Sequence, residues 1–171
     1  MTWTRRATAL LAALPALAAC GGAAEETVAP SVTVRVGEQQ VSADPTQYCL
    51  AGEGRRYTTA PPILEVPADS DIILTVPDSV AEDGWSVQVF DEALEQKLGD
   101  VDVDPGTPVF DGINSSDVDP PAFYLVVVQR RDPDACEGLS GAWPIGFVRP
   151  GGAADPPSPA TPPAPSTPPA G

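Results

Sequence analysis

Trp85-Ser86-Val87-Gln88-Val89-Phe90 decides the fold. Apolar and polar residues alternate there with period two, placing Trp85, Val87 and Val89 on one face, the pattern of a strand with one side against a core. Val32-Thr33-Val34-Arg35-Val36 alternates likewise. Gly37-Glu38 then supplies a turn, and Gln40-Val41-Ser42 reads as the returning arm of a hairpin, ended by Asp44-Pro45. Tyr48-Cys49-Leu50 is a short apolar patch followed by a loop through Gly52 and Gly54. Ile63-Leu64-Glu65-Val66 and Ile72-Ile73-Leu74-Thr75-Val76 are β-rich runs, each stopped by a proline. Phe123 to Val128 is continuously apolar, which predicts a central strand buried on both faces. Trp143-Pro144-Ile145-Gly146-Phe147-Val148 closes the series, with Pro144 marking an edge or a bulge. Glu92 to Leu98 reads either as a helical turn between two strands or as strand-turn-strand. Short strands separated by Pro, Gly and Asp turns predict an all-β fold, an immunoglobulin-like β-sandwich of about seven to eight strands. Tyr124, after Asp119-Pro120-Pro121-Ala122-Phe123, stands where such domains carry a tyrosine whose hydroxyl bonds back to the chain.

The ends of the chain have a different composition. Arg5 and Arg6 precede the apolar run Ala7 to Ala19. That run, about 13 residues, is too short for the ~20 needed to span a bilayer, and it ends in small residues, as a signal peptide does. Leu17-Ala18-Ala19-Cys20 resembles a bacterial lipobox, in which the cysteine thiol receives a diacylglycerol and becomes the new N-terminus. Two acyl chains are enough for stable anchoring. Thr4-Arg5-Arg6 also hints at twin-arginine export, although Ala7 and Thr8 do not fit its strong form. Residues 1–19 are therefore expected to be a lipoprotein signal peptide and 20–30 a lipidated tether. Residues 31–149 are expected to form the sandwich domain, and 150–171, with nine prolines and no aromatic residue, a Pro-rich disordered tail. Ser158, Thr161, Ser166 and Thr167 in that tail have the surroundings of O-glycosylation sites.

Beyond residue 19 the chain holds 7 basic and 24 acidic residues, a net charge of −17. Such a charge argues against nucleic acid as a partner and against a patch that grips anionic lipid headgroups. Lysine occurs once, at Lys97, against eight arginines; with abundant Ala, Pro, Gly and Asp, this points to a GC-rich bacterial genome. With Cys20 acylated, Cys49 and Cys136 form an even pair in an exported, oxidising setting, and a disulfide between them is expected.

Histidine is absent, which removes Ser-His-Asp and Cys-His catalysis and the commonest zinc ligand. No glycine-rich phosphate cradle follows a strand, and Lys97 lacks a Ser-x-x-Lys context. A hydrolase working through carboxylates alone is the remaining enzymatic route, and nothing singles out a pair. Asp100, Asp102 and Asp104 alternate with Val101 and Val103. They read either as a calcium- or small-ligand-binding cluster or as the wet face of a strand whose valines point inward. Pro105 occupies the place where a calcium loop needs glycine, which favours the strand. Arg55-Arg56-Tyr57 is the basic–aromatic cluster of an acidic chain and a candidate contact for an anionic partner.

Several longer strings carry a resemblance: Pro45-Thr46-Gln47-Tyr48-Cys49, Gly84 to Glu92, Val109-Phe110-Asp111-Gly112-Ile113-Asn114, Pro121 to Val128 and Gly141-Ala142-Trp143-Pro144. In these the chain resembles a family of actinobacterial cell-envelope lipoproteins catalogued as a domain of unknown function. The resemblance implies an address, lipid-anchored on the outer face of the cytoplasmic membrane, and no established activity. The expectation is a non-catalytic interaction module without a cofactor, binding another envelope protein or a cell-wall component.

Overall fold

The computed structural model describes residues 28–131 and 134–150. The expected signal peptide, Cys20 and the tail beyond Pro150 lie outside the described residues. Within them the chain is nearly all β: eleven strands, one helical turn α1 (Asp78–Ala81) and one 3-10 turn η1 (Ala135–Gly138).

Two sheets face each other. The smaller has the order β2-β1-β6-β9, built from β1 (Val32–Val36), β2 (Gln39–Ala43), β6 (Asp71–Thr75) and β9 (Val109–Asn114). The larger runs β4-β3-β11-β10-β7-β8, from β3 (Gln47–Leu50), β4 (Glu53–Arg56), β7 (Trp85–Asp91), β8 (Lys97–Val103), β10 (Ala122–Gln129) and β11 (Ala142–Val148). The short β5 (Ile63–Glu65) joins it by pairing in parallel with β11. With β6 and β9 as strands B and E, and β7, β8, β10 and β11 as C, C′, F and G, this is the immunoglobulin-like sandwich predicted. It has more strands than expected. The sequence conceals β4, Glu53-Gly54-Arg55-Arg56, because all four residues are exposed and none is apolar. The alternation of β9 is broken by a bulge opposite Ile72 to Leu74.

Alternation dictates the core. Val32, Val34, Ile72 and Leu74 from the smaller sheet are fully buried against Trp85, Val87, Leu125, Trp143 and Ile145 from the larger. Phe123 stacks on Phe147 with ring centroids 5.3 Å apart, and Tyr48 meets Trp143 edge to face at 5.8 Å. Each buried indole finds a carbonyl: Trp85 Nε1–H donates to Thr107 O and Trp143 Nε1–H to Pro30 O, both at 2.8 Å.

Three expectations are refined. First, β10 is buried on one face only. Phe123, Leu125 and Val127 point inward, whereas Tyr124, Val126 and Val128 are half-buried on the outer face of a two-layer sandwich. Second, Tyr124 therefore cannot close a tyrosine corner. Its ring lies over Gly146 of the neighbouring strand, where a β-carbon would stand 3.1 Å from it. Third, Glu92 to Gln96 forms the turn of the β7–β8 hairpin: Leu94 adopts φ 57°, and Asp91 Oδ1 accepts from the N–H groups of Glu95 and Gln96 at 2.8 and 3.1 Å. Strand-turn-strand is the correct alternative. Pro144 sits between the contact of β11 with β3 at Ala142 and its contact with β5 from Gly146 onward. A residue with no N–H is tolerated in that gap.

Cys49 and Cys136 are bridged, with Cα atoms 5.8 Å apart. Cys136 and Glu137 both lie in the left-handed region, at φ 51° and 57°, in the turn that the bridge ties to β3. Gly54 lies beneath that turn; a β-carbon there would meet Leu139 Cδ1 at 2.7 Å and the Cys136 carbonyl oxygen at 2.9 Å.

Candidate functional site

The sandwich is asymmetric, and the asymmetry creates a groove. Trp85 and Val87 of β7 stand opposite Val103 and Val101 of β8, so both valines belong to the inward face. Val103 is 4 % exposed, yet Val101 is 41 % exposed. The difference is cover: along this edge β8 and β9 end their respective sheets, and the space between them opens to solvent.

The opening is a groove of about 480 Å³. Val89, Val101, Ile113 and Val118 line it, with Leu98 at one lip. Asp117 and Asp119 lie along its margin. Two glycines shape it. Gly99, paired with Val89, is at an inward position where an added β-carbon would meet nothing within 4 Å. Gly112 lies in the β9 bulge, and a β-carbon there would stand 2.8 Å from the Phe110 ring. That ring is in turn edge to face with Trp85, centroids 6.2 Å apart.

The wall after β9 is held by a set of hydrogen bonds. Arg149 directs its guanidinium at three carbonyls, donating from Nη1 to Ser115 O at 2.8 Å and from Nη2 to Asp119 O and Pro120 O at 2.8 and 3.0 Å. Ser115, fully buried, donates to Pro67 O at 2.8 Å and accepts from the Ser70 N–H at 3.0 Å. Asp117 Oδ2 accepts from the Asn114 N–H at 2.8 Å, which closes the turn. Sequence reasoning missed Gly99, Gly112, Ser115 and Arg149. The signal for Gly99 was present: a small residue continues the inward series of Val101 and Val103.

The aspartates predicted from the sequence do not converge. Asp100 and Asp102 face outward from β8, opposite Gln88 and Ser86. Asp100 pairs with Lys97 at 2.7 Å and Asp102 with Arg130 at 3.1 Å, while Asp104 lies past the end of the strand. Pleating leaves Asp100 and Asp102 on the same face, but each is engaged by its own cation, and Asp104 is off the strand. Among the described residues no group of three His, Cys, Asp or Glu could hold a metal ion.

The Arg55-Arg56-Tyr57 cluster is split. Arg55 and Arg56 are exposed on β4, one 3.3 Å from Glu53 and the other donating to Gln47 Oε1 at 3.4 Å. Tyr57 instead packs partly buried against the core, its N–H bonded to Thr46 O at 2.8 Å. A further cation, Arg131, covers the disulfide: its Nη1 is 3.6 Å from Cys49 Sγ and its guanidinium 6.0 Å from the Tyr48 ring centroid. Beside it a hollow of about 510 Å³ is lined by Asp83, Arg130, Arg131 and Ala135. Among the described residues no helix is long and apolar enough to cross a membrane.

Residues 25–105 match a protein family described as "Protein of unknown function (DUF2771)", so this stretch, which includes β1 to β8, carries a domain of unknown function. The match ends before β9, β10 and β11, and so covers one side of the groove. No curated protein and no solved structure matches the chain.

Proposed function

We propose that this chain is a lipid-anchored lipoprotein of an actinobacterial cell envelope. In this reading its sandwich is a non-catalytic binding module for another envelope protein or a cell-wall component, and the groove between β8 and β9 is the binding element. The observation that carries the reading is Val101, an inward-facing valine of a sandwich left 41 % exposed beside an apolar floor. Apolar surface with a few polar groups at its margin is the usual make-up of a recognition site. A sequence without histidine and with a single lysine lends little to catalysis. The address is supported by the lipobox-like Leu17-Ala18-Ala19-Cys20 after the apolar run Ala7 to Ala19.

Cross-linking in intact cells, followed by mass spectrometry, tests the binding role. A neighbour captured by the native chain and lost from Gly99→Phe, which fills the groove, is the expected result. A set of cross-linked neighbours unchanged by that substitution would overturn the role of the groove. For the anchor, Cys20→Ala should lose labelled fatty acid and leave the membrane fraction; unchanged labelling would refute it.

A further inference from the structure

We infer that the groove takes an extended segment of a partner protein in which apolar residues alternate with Lys or Arg, and that this segment adds as a strand along the free edge of β8. The inference rests on the binding-module reading above and names the chemistry of its partner.

Three observations converge on it. First, β8 pairs on one side only, with β7, and among the described residues no backbone bond reaches its other edge. Every second residue of such a strand turns its N–H and C=O toward solvent, a template for another strand. Second, the pleat of β8 specifies the incoming pattern. Gly99, Val101 and Val103 face the inter-sheet space, and Asp100 and Asp102 face outward. Cross-strand neighbours share a face, so a pairing segment sets its inward residues over the exposed floor at Val101 and its outward residues beside two carboxylates. Apolar inward and cationic outward is the complementary choice. Third, the existing partners of those carboxylates are easily exchanged. Lys97 with Asp100 and Arg130 with Asp102 are exposed ion pairs, of the kind that contributes little. Asp117 and Asp119 on the opposite wall add to the same sign of field, so a cationic segment is drawn in and an anionic one repelled. The open space at Gly99 leaves room for one large apolar side chain of the guest.

The test uses the full chain purified in detergent and a fluorescent seven-residue peptide, Lys-Val-Lys-Val-Lys-Val-Lys, matching the seven residues of β8. Saturable binding is expected, weakened about tenfold by Asp100→Asn with Asp102→Asn and by raising salt from low to high. Gly99→Phe should abolish it while leaving the melting temperature unchanged or raised, since the position is open and glycine is a poor strand residue. A peptide of the same composition with its lysines and valines in blocks, and the Glu-Val counterpart, should not bind. Two further peptides carry N-methyl groups on alternate amides, one set for each edge. Loss of binding with one set and not the other is expected of strand addition; equal behaviour of the two overturns it. The failures are separable. If Gly99→Phe removes the cellular cross-link but the alternating peptide does not bind, the groove stands and the cationic strand is wrong. If the cross-link survives Gly99→Phe, the groove itself is wrong.

Discussion

Arg149 shows how one side chain can hold a whole wall. Its guanidinium ties together the carbonyls of Ser115, Asp119 and Pro120, in a segment without regular structure. Hydrogen bonds to a charged group contribute about 1.5–3 kcal/mol, so Arg149→Ala is expected to lower stability by roughly that amount. Chemical denaturation should read the loss, and amide exchange should quicken first at 115–120. Gly54 is a second single-atom constraint. A methyl group there collides with a backbone oxygen, Cys136 O, in a turn fixed by the disulfide, so the neighbour cannot simply rotate away. Gly54→Ala should cost about 1–3 kcal/mol, the usual range for overpacking, measured as a shift of the denaturation midpoint. Neither role is visible in the sequence: an arginine after the last strand and a glycine between charged residues look like ordinary surface.

At the level of elements, the disulfide joins β3 to η1, while β3 shares only one ladder pair with β11 and packs Tyr48 on Trp143. With so short a ladder, the bridge and Arg131 add to the hold on the β3–β4 hairpin. Cys49→Ser with Cys136→Ser should cost about 2–5 kcal/mol, with the hairpin amides losing protection before the rest of the domain. A double variant as stable as the native chain would contradict this. The strands most legible in the sequence were β1, β6, β7, β10 and β11, whose side chains alternate or are continuously apolar. Those that escaped it were β4, with four exposed residues, and β9, whose bulge interrupts the period. Periodicity reports burial, and an edge strand that buries little leaves no period to read.

At the scale of the whole molecule, the carboxylates of β8 lie on its outer face and its valines turn toward the space between the sheets. Calcium is therefore expected to leave the melting temperature within about 1 °C, because a ligand stabilises only through a site that binds it. A calcium-dependent rise of several degrees, seen by calorimetry, would contradict this. The sequence alone determined the all-β class, the inward faces of β1 and β7, the disulfide pair and the exclusion of histidine chemistry. These follow from local alternation and residue inventory, each a property of neighbouring or counted residues. The tertiary structure alone decided that Val101 is inward yet uncovered, that Gly99 faces open space, that Asp102 is paired with the distant Arg130, and that Tyr57 packs on the core apart from the arginines. The first two depend on where the smaller sheet stops relative to the larger. That is set by the pairing of strands distant in sequence, which no local pattern encodes.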